Sequence, residues 1–339
     1  MKKILLFSLV GILIASFLSG VIFFALLKEE NAIDTVAAEG DGKNYILAGL
    51  DEAGNNTDML LLVSVKEKGN ALSFLQIPRD TYLSIDGFEG KINQIYSRKT
   101  TKKDQKRAAE SFLTTISTAF DLPLHGYVIF RQESLKDAVD ALGGIPFLLD
   151  EDLVCADEAT GREYRIPKGE RLLNGEEACY YVRHRATYAE GDLGRLDAQL
   201  RFLSAAFTEL TKGKDLVRYL RLYKKVSPSL LTNLEERDII SLAGAFVKNR
   251  DGKNVRLMRL PGEATKGKSG SWYYIANQKE SERLIGLYFA CQNDYRFDES
   301  HRFVRFDREN FKNIYADPLC RARVYTLTEA SRLKVIKKQ

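Results

Sequence analysis

Asp51 and Asp58 stand on either side of a short loop of Gly and Asn, each at the end of an apolar run. Such a loop lets two carboxylates turn toward one another. Two hard oxygen donors, completed by waters and phosphate oxygens, suit Mg2+. Aspartates beside turns also serve as caps, so the pair alone does not decide the matter. Ile77-Pro78-Arg79-Asp80-Thr81 adds an arginine and a third acid directly after another apolar run. Arg183-His184-Arg185 follows a helix-like stretch, and in an extended backbone its two arginines share one face. Arg195 and Gln199 lie one helical turn apart and project together near a helix N-terminus, where free amides and the helix dipole favour anions. Arginine binds phosphate oxygens through a planar fork, so several convergent arginines suit a pyrophosphate. In a chain with 29% charged residues, the same arginines could instead pair with acids on the surface.

The elements that must position these groups are legible in outline. Tyr45 to Leu50 reads as a strand ending on Asp51, and Asp58 to Val65 as a second strand of buried character. Ala71 to Ile77 makes a third, stopped by Pro78, and the short polar turn before it implies an antiparallel hairpin. Helices are predicted over 98–120, 132–142, 174–182, 196–212 and 238–247, and strands over 127–130, 145–149 and 255–260. Asn174 and Glu177 have the spacing of a capping box. The order implies an α/β class, with a central mixed sheet flanked by helices.

Composition narrows the chemistry. Three separated histidines, His125, His184 and His301, argue against a His-rich metal site. A net charge of +5 is too mild for a nucleic-acid binder, so no nucleic-acid partner is expected. Cys155, Cys179, Cys291 and Cys320 lack zinc-site spacing, and Cys291–Cys320 is the pair best suited to a bridge.

The N-terminus sets the expected topology. Lys2 and Lys3 precede an uncharged apolar run, Ile4 to Leu27, long enough for a bilayer core of about 30 Å. It exceeds the apolar core of about 7–15 residues of a cleaved signal peptide. The expected organisation is a cytoplasmic tail over 1–3, a transmembrane anchor over 4–27, a linker over 28–43, a catalytic domain over 44–285 and an extension of unknown role over 286–339. Positive charge before the span places the N-terminus in the cytoplasm and the domain outside the cell membrane.

The ordered segments Leu47-Ala48-Gly49-Leu50-Asp51, Thr57-Asp58-Met59-Leu60-Leu61, Ile77-Pro78-Arg79-Asp80-Thr81 and Lys91-Ile92-Asn93 carry a resemblance. So do Leu142-Gly143-Gly144-Ile145, Leu173-Asn174-Gly175-Glu176-Glu177-Ala178, Tyr181-Val182-Arg183-His184-Arg185 and Gly191-Asp192-Leu193-Gly194-Arg195. Together they resemble the LytR-CpsA-Psr family of cell-wall glycopolymer ligases, well over 43–212 and more loosely to about 285. The resemblance implies a central sheet with an apolar pocket for a polyprenyl chain. It implies transfer of a glycopolymer, teichoic acid or capsule-like, from a polyprenyl-pyrophosphate carrier to peptidoglycan, with a new phosphodiester. Asp51 and Asp58 match the aspartates associated with Mg2+. Arg79, Arg183, Arg185 and Arg195 match the arginines that hold the pyrophosphate, and Gln199 a polar residue beside them. Asp80 matches a partner of Arg79.

One position departs from the family. Asn56 stands where an Arg or Lys is usual, two residues before the matching aspartate, unless Lys43, Lys91 or another residue replaces that charge. Asp80 and Asp192 are the candidate general bases. A non-catalytic binder of polyprenyl phosphates and a polyprenyl-pyrophosphate hydrolase are the competing readings.

Overall fold

A computed structural model of the chain describes residues 42–66, 70–85, 88–99, 104–156, 163–212, 216–267, 270–290, 295–296 and 322–335. The expected anchor over 4–27 and the pair Cys291–Cys320 lie outside the described residues, among which no helix is long and apolar enough to cross a membrane.

The strands are β1 (Lys43–Leu50), β2 (Thr57–Lys66), β3 (Ala71–Gln76), β4 (Tyr82–Ile85), β5 (Phe88–Lys91), β6 (Gly126–Phe130), β7 (Ile145–Leu149), β8 (Leu153–Ala156), β9 (Glu163–Ile166), β10 (Gly169–Leu173), β11 (Leu230–Thr232), β12 (Val255–Arg259), β13 (Gly262–Lys266), β14 (Trp272–Ala276) and β15 (Val324–Tyr325). The helices are α1 (Gln94–Lys99), α2 (Gln105–Ala119), α3 (Gln132–Ala141), α4 (Gly175–Arg183), α5 (Asp192–Leu210), α6 (Leu216–Val226), α7 (Glu236–Lys248), α8 (Gln278–Ile285) and α9 (Leu327–Ser331).

Seven strands form the central sheet in the order β11-β6-β1-β2-β3-β12-β15. β6 runs parallel to β1, and β12 parallel to β3, while β1, β2 and β3 form an antiparallel meander. The sheet is therefore mixed, and helices cover it on both faces. The apolar run of β2 shows why. Leu60 and Leu62 enter one core with Ile46, Leu75, Phe112 and Ile116, whereas Leu61 and Val63 enter another with Phe74, Leu200 and Phe207. Side chains alternate along a strand, so a continuous hydrophobic run requires cover on both sides. α2 supplies residues to the first core and α5 to the second. A third cluster joins β7, β10 and α4 to another stretch of α5 through Phe147, Tyr181 and Phe202. β15, near the C-terminus, pairs with β12 and ends the sheet.

The differences from the sequence reading have local causes. The helix expected over 98–120 is two helices, α1 and α2, and α2 begins where the Asp104 side chain caps Arg107 N. The helix expected from 196 begins at Asp192, because Gly191 at φ +54° turns the chain immediately before it. The capping box at Asn174 and Glu177 forms as expected. The hairpins β4–β5, β8–β9 and β13–β14 have no counterpart in the sequence reading.

Candidate active site

The site lies at the carboxyl ends of β1 and β6, neighbours that run parallel. Such an edge is a common place for a ligand in sheets covered by helices. An open pocket sits there. Its walls come from Gly49 and Leu50 at the end of β1, Asp58 and Met59 at the start of β2, Phe130 and Arg131 after β6, Gln132 and Leu135 on α3, Cys179, Val182 and Arg183 on α4, and Arg195 and Gln199 on α5. The wall is apolar along Met59, Phe130, Leu135 and Val182, and charged around Asp58, Arg183 and Arg195.

The cations converge through acids. Arg79 donates to Asp58 Oδ1 at 2.6 Å. Asp192 Oδ1 stands 2.8 Å from an Arg195 nitrogen, 3.3 Å from one of Arg79 and 3.9 Å from one of Arg185. Burial draws the Arg79 guanidinium down, but Asp192, Asp58 and Asp80 together outweigh that and hold it above its ordinary pKa. Arg195 goes the other way. Its side chain is 3% exposed, and burial, reinforced by Arg79 and Arg185, pulls it below the usual value against the pull of Asp192. Two donors in the cluster are orphans. Arg79 Nε and Arg195 Nε are buried without a hydrogen-bond partner, and Arg195 Nη2 has only its ion-pair contact with Asp192. Buried guanidinium donors left open in this way fit an acceptor-rich anion.

The turn that carries Arg79 is braced from its backbone. Asn93 N donates to Arg79 O at 3.2 Å, Ile92 N to Thr81 O at 2.8 Å and Tyr274 N to Asp80 O at 2.8 Å. Lys91-Ile92-Asn93 and the β13–β14 hairpin thus hold the arginine in place. Asp80 lies 4.0 Å from Arg79 Nε, and its closer partner is Lys91 Nζ at 2.8 Å.

Arg183 and Arg185 do not share a face. Arg183 is the last residue of α4 and His184 is its C-cap, so the stretch leaves a helix instead of running as a strand. Arg183 reaches Glu52 at 3.2 Å and Gln132 at 2.8 Å, while Arg185 reaches Asp192. Gln199 does lie beside Arg195, but both ends of its amide are engaged. It donates to Val182 O at 2.9 Å and accepts from Gln76 at 2.8 Å, tying α5 to β3 and to the end of α4.

Asp51 caps its own loop. Its carboxylate accepts from Asn55 N at 2.8 Å and from Asn56 Nδ2 at 3.0 Å. Asn56 thus fixes Asp51. Of the lysines considered as replacements for the missing charge, Lys91 is in the cluster, whereas Lys43 pairs with Asp238 at 3.6 Å. Arg131 was missed by the sequence reading. It lines the pocket, and its guanidinium lies against Gly54 in the Asp51–Asp58 loop, where a Cβ would collide with it. Arg131 carried no family motif, and only folding brings it to that loop. Asp192 was considered solely as a base, and its role as the common partner of three arginines became visible only in three dimensions.

Among the described residues no three His, Cys, Asp or Glu side chains group to hold a metal ion. Asp51 is held within its own loop by Asn55 and Asn56, and Asp58 is paired with Arg79, so a Mg2+ held by these two carboxylates would need phosphate oxygens and waters to complete its shell.

Cys179 on the pocket wall is a free thiol, and its Sγ donates to Gln132 O at 3.5 Å. Burial pushes its pKa up to about 11. At pH 8 only about one thiol in a thousand would then be thiolate, the reactive form. Iodoacetamide at pH 8, followed by peptide mass spectrometry, should label Cys179 far more slowly than in the denatured chain. Equal rates would show that the pocket wall is open.

The chain is 26% identical over 259 residues to the polyisoprenyl-teichoic acid–peptidoglycan teichoic acid transferase TagU of Oceanobacillus iheyensis, covering 75% of this chain and 78% of that one. The crystal structure of B. subtilis TagU aligns with a TM-score of 0.51 at 26% identity, over 73% of this chain and 95% of that one. B. subtilis TagV shares the fold at a TM-score of 0.62 and 22% identity, over 76% and 99% of the two chains. A sequence profile of the LytR_cpsA_psr family matches residues 25–286, and the chain belongs to that family.

Proposed function

We propose that this protein transfers a glycopolymer, teichoic acid or capsule-like, from a polyprenyl-pyrophosphate carrier to peptidoglycan and forms a phosphodiester. The observation that carries this reading is the meeting of Arg79, Arg185 and Arg195 on one carboxylate oxygen beside a pocket with an apolar wall. A cationic cluster with open donors suits a pyrophosphate, and the wall of Met59, Phe130, Leu135 and Val182 suits a prenyl chain. The name of the Oceanobacillus relative, a teichoic acid transferase acting between polyisoprenyl carrier and peptidoglycan, supports the same substrate pair.

In this mechanism the orphan donors of Arg79 and Arg195 bind the pyrophosphate oxygens and spread the charge that develops in phosphoryl transfer. Arg183 closes the charged side of the pocket, and Arg185 adds positive charge beside it through Asp192. A peptidoglycan hydroxyl attacks the phosphorus that bears the glycan and gives up its proton, which ends in solvent or on the departing phosphate. The bond to the second phosphate breaks, and polyprenyl phosphate leaves. Positioning and charge neutralisation supply most of the acceleration. Asp51 and Asp58 are the residues that would hold Mg2+, which when bound neutralises the phosphate oxygens further. The apolar run from Ile4 to Leu27 would anchor the chain in the cell membrane with the domain outside, near a donor that lives in the bilayer.

The test incubates the full-length protein in detergent with a lipid-linked glycan donor, with and without peptidoglycan fragments, in Mg2+ or in chelator. Product that requires the acceptor and Mg2+, and falls at least tenfold in Asp58→Asn, is the expected result. Donor cleavage without acceptor would show a hydrolase. Donor binding with no product would show a binder.

A further inference from the structure

We propose that Asp192 is a built-in stand-in for the substrate's phosphate: its carboxylate neutralises Arg79, Arg185 and Arg195 in the empty site and yields them to the pyrophosphate when the donor binds. The inference rests on the proposed function and adds a regulatory role to a residue inside the same site.

Asp192 Oδ1 lies within 2.8 to 3.9 Å of guanidinium nitrogens from three separate segments: the turn after β3, the stretch after α4, and α5 itself. The contacts are also unsaturated. Arg79 Nε and Arg195 Nε are buried without a hydrogen-bond partner, and Arg195 Nη2 meets Asp192 Oδ1 at 2.8 Å as an ion pair without hydrogen-bond alignment. The carboxylate therefore balances charge while leaving the two Nε donors open. A pyrophosphate brings more oxygens and more charge than one carboxylate, and can do both.

The position of Asp192 favours easy release. It is the first residue of α5, where a carboxylate stays stabilised by the helix N-terminus after its arginines turn away. Its side chain is 25% exposed, so it has solvent to turn into. Gly191 precedes it at φ +54°, and the Cβ position of Gly191 meets nothing within 4 Å, so open space lies beside Asp192. In the absence of donor, three guanidiniums with no anion would repel one another across the site. Asp192 removes that repulsion and keeps the clamp assembled. When polyprenyl phosphate leaves, the same carboxylate recaptures the arginines and speeds product release.

This role makes a prediction opposite in sign to that of a structural brace. Asp192→Asn keeps the side-chain shape and removes the competing charge. The variant should bind inorganic pyrophosphate roughly tenfold more tightly than the parent, because a full charge at close range to the arginines no longer competes. Its turnover in glycopolymer transfer should fall severalfold, limited by release of polyprenyl phosphate. Both quantities are measured on the full-length protein, by titration calorimetry with pyrophosphate and by steady-state transfer. Asp192→Ser is the second variant, and it should show the same split. Weaker pyrophosphate binding in either variant, or failure of both to fold, would overturn the inference and mark Asp192 as a structural brace. A parent protein that binds no pyrophosphate would instead overturn the functional reading beneath it.

Discussion

Arg79→Ala should lower glycopolymer transfer by on the order of 10²–10³-fold while costing only about 1–2 kcal/mol of stability. Arg79 is the hub of the charged cluster, with Asp58, Asp192 and Asp80 all within 4.0 Å of its guanidinium. Its removal deletes a buried open donor and releases Asp58 and Asp192, the two acids it holds most closely. The stability cost stays small because Asp58 and Asp192 keep side-chain exposures of 30% and 25% and can rehydrate. Asp192 also retains Arg195 at 2.8 Å. Arg79→Lys should not restore activity, since one ammonium cannot replace a planar fork that meets several acids at once. Steady-state transfer and thermal unfolding of the same preparations check both halves. Activity within a few-fold of the parent would remove Arg79 from the machinery.

Gln199→Leu should act in the opposite proportion, with stability falling by about 2–4 kcal/mol. Gln199 is 9% exposed and fills both ends of its amide within the fold. Leucine would leave the Val182 carbonyl and the Gln76 amide without partners inside the protein. Gln76 is 2% exposed, and its Oε1 already lacks a partner, so the loss there is severe. The melting temperature should drop by several degrees. The double variant Gln76→Leu/Gln199→Leu should recover part of that loss, because replacing both members of a buried pair is milder than orphaning one. If Gln199→Leu melts like the parent yet loses transfer, Gln199 contacts substrate directly and its interior role is secondary.

The sequence exposed the site more fully than the architecture around it. The residues that converge, Arg79, Arg185 and Arg195, sit in short motifs at element ends: Arg79 after the apolar strand β3, Arg185 after α4 and Arg195 in the first turn of α5. β2 was legible because its alternate residues must enter two cores. The hairpins were not, because β4, β5, β8 and β9 span four residues each and show no sustained alternation. Arg183 shows a second kind of limit. Its spacing to Arg185 suggested a shared face, but α4 extends through Arg183, and one residue of helix sends the two side chains to different partners. Asp192 and Arg131 show a third. Their neighbours are distant in sequence, so local pattern alone could not reveal the three arginines around one acid or the guanidinium against the Gly54 loop.

The most direct test of the account is a crystal structure of the protein with a short-chain prenyl pyrophosphate such as farnesyl pyrophosphate. The account predicts phosphate oxygens about 2.7–2.9 Å from Arg79 and Arg195 nitrogens. It also predicts the prenyl chain along Met59, Phe130 and Val182, and the Asp192 carboxylate turned away from the arginines. A ligand bound elsewhere, with Asp192 still between its three arginines, would contradict it.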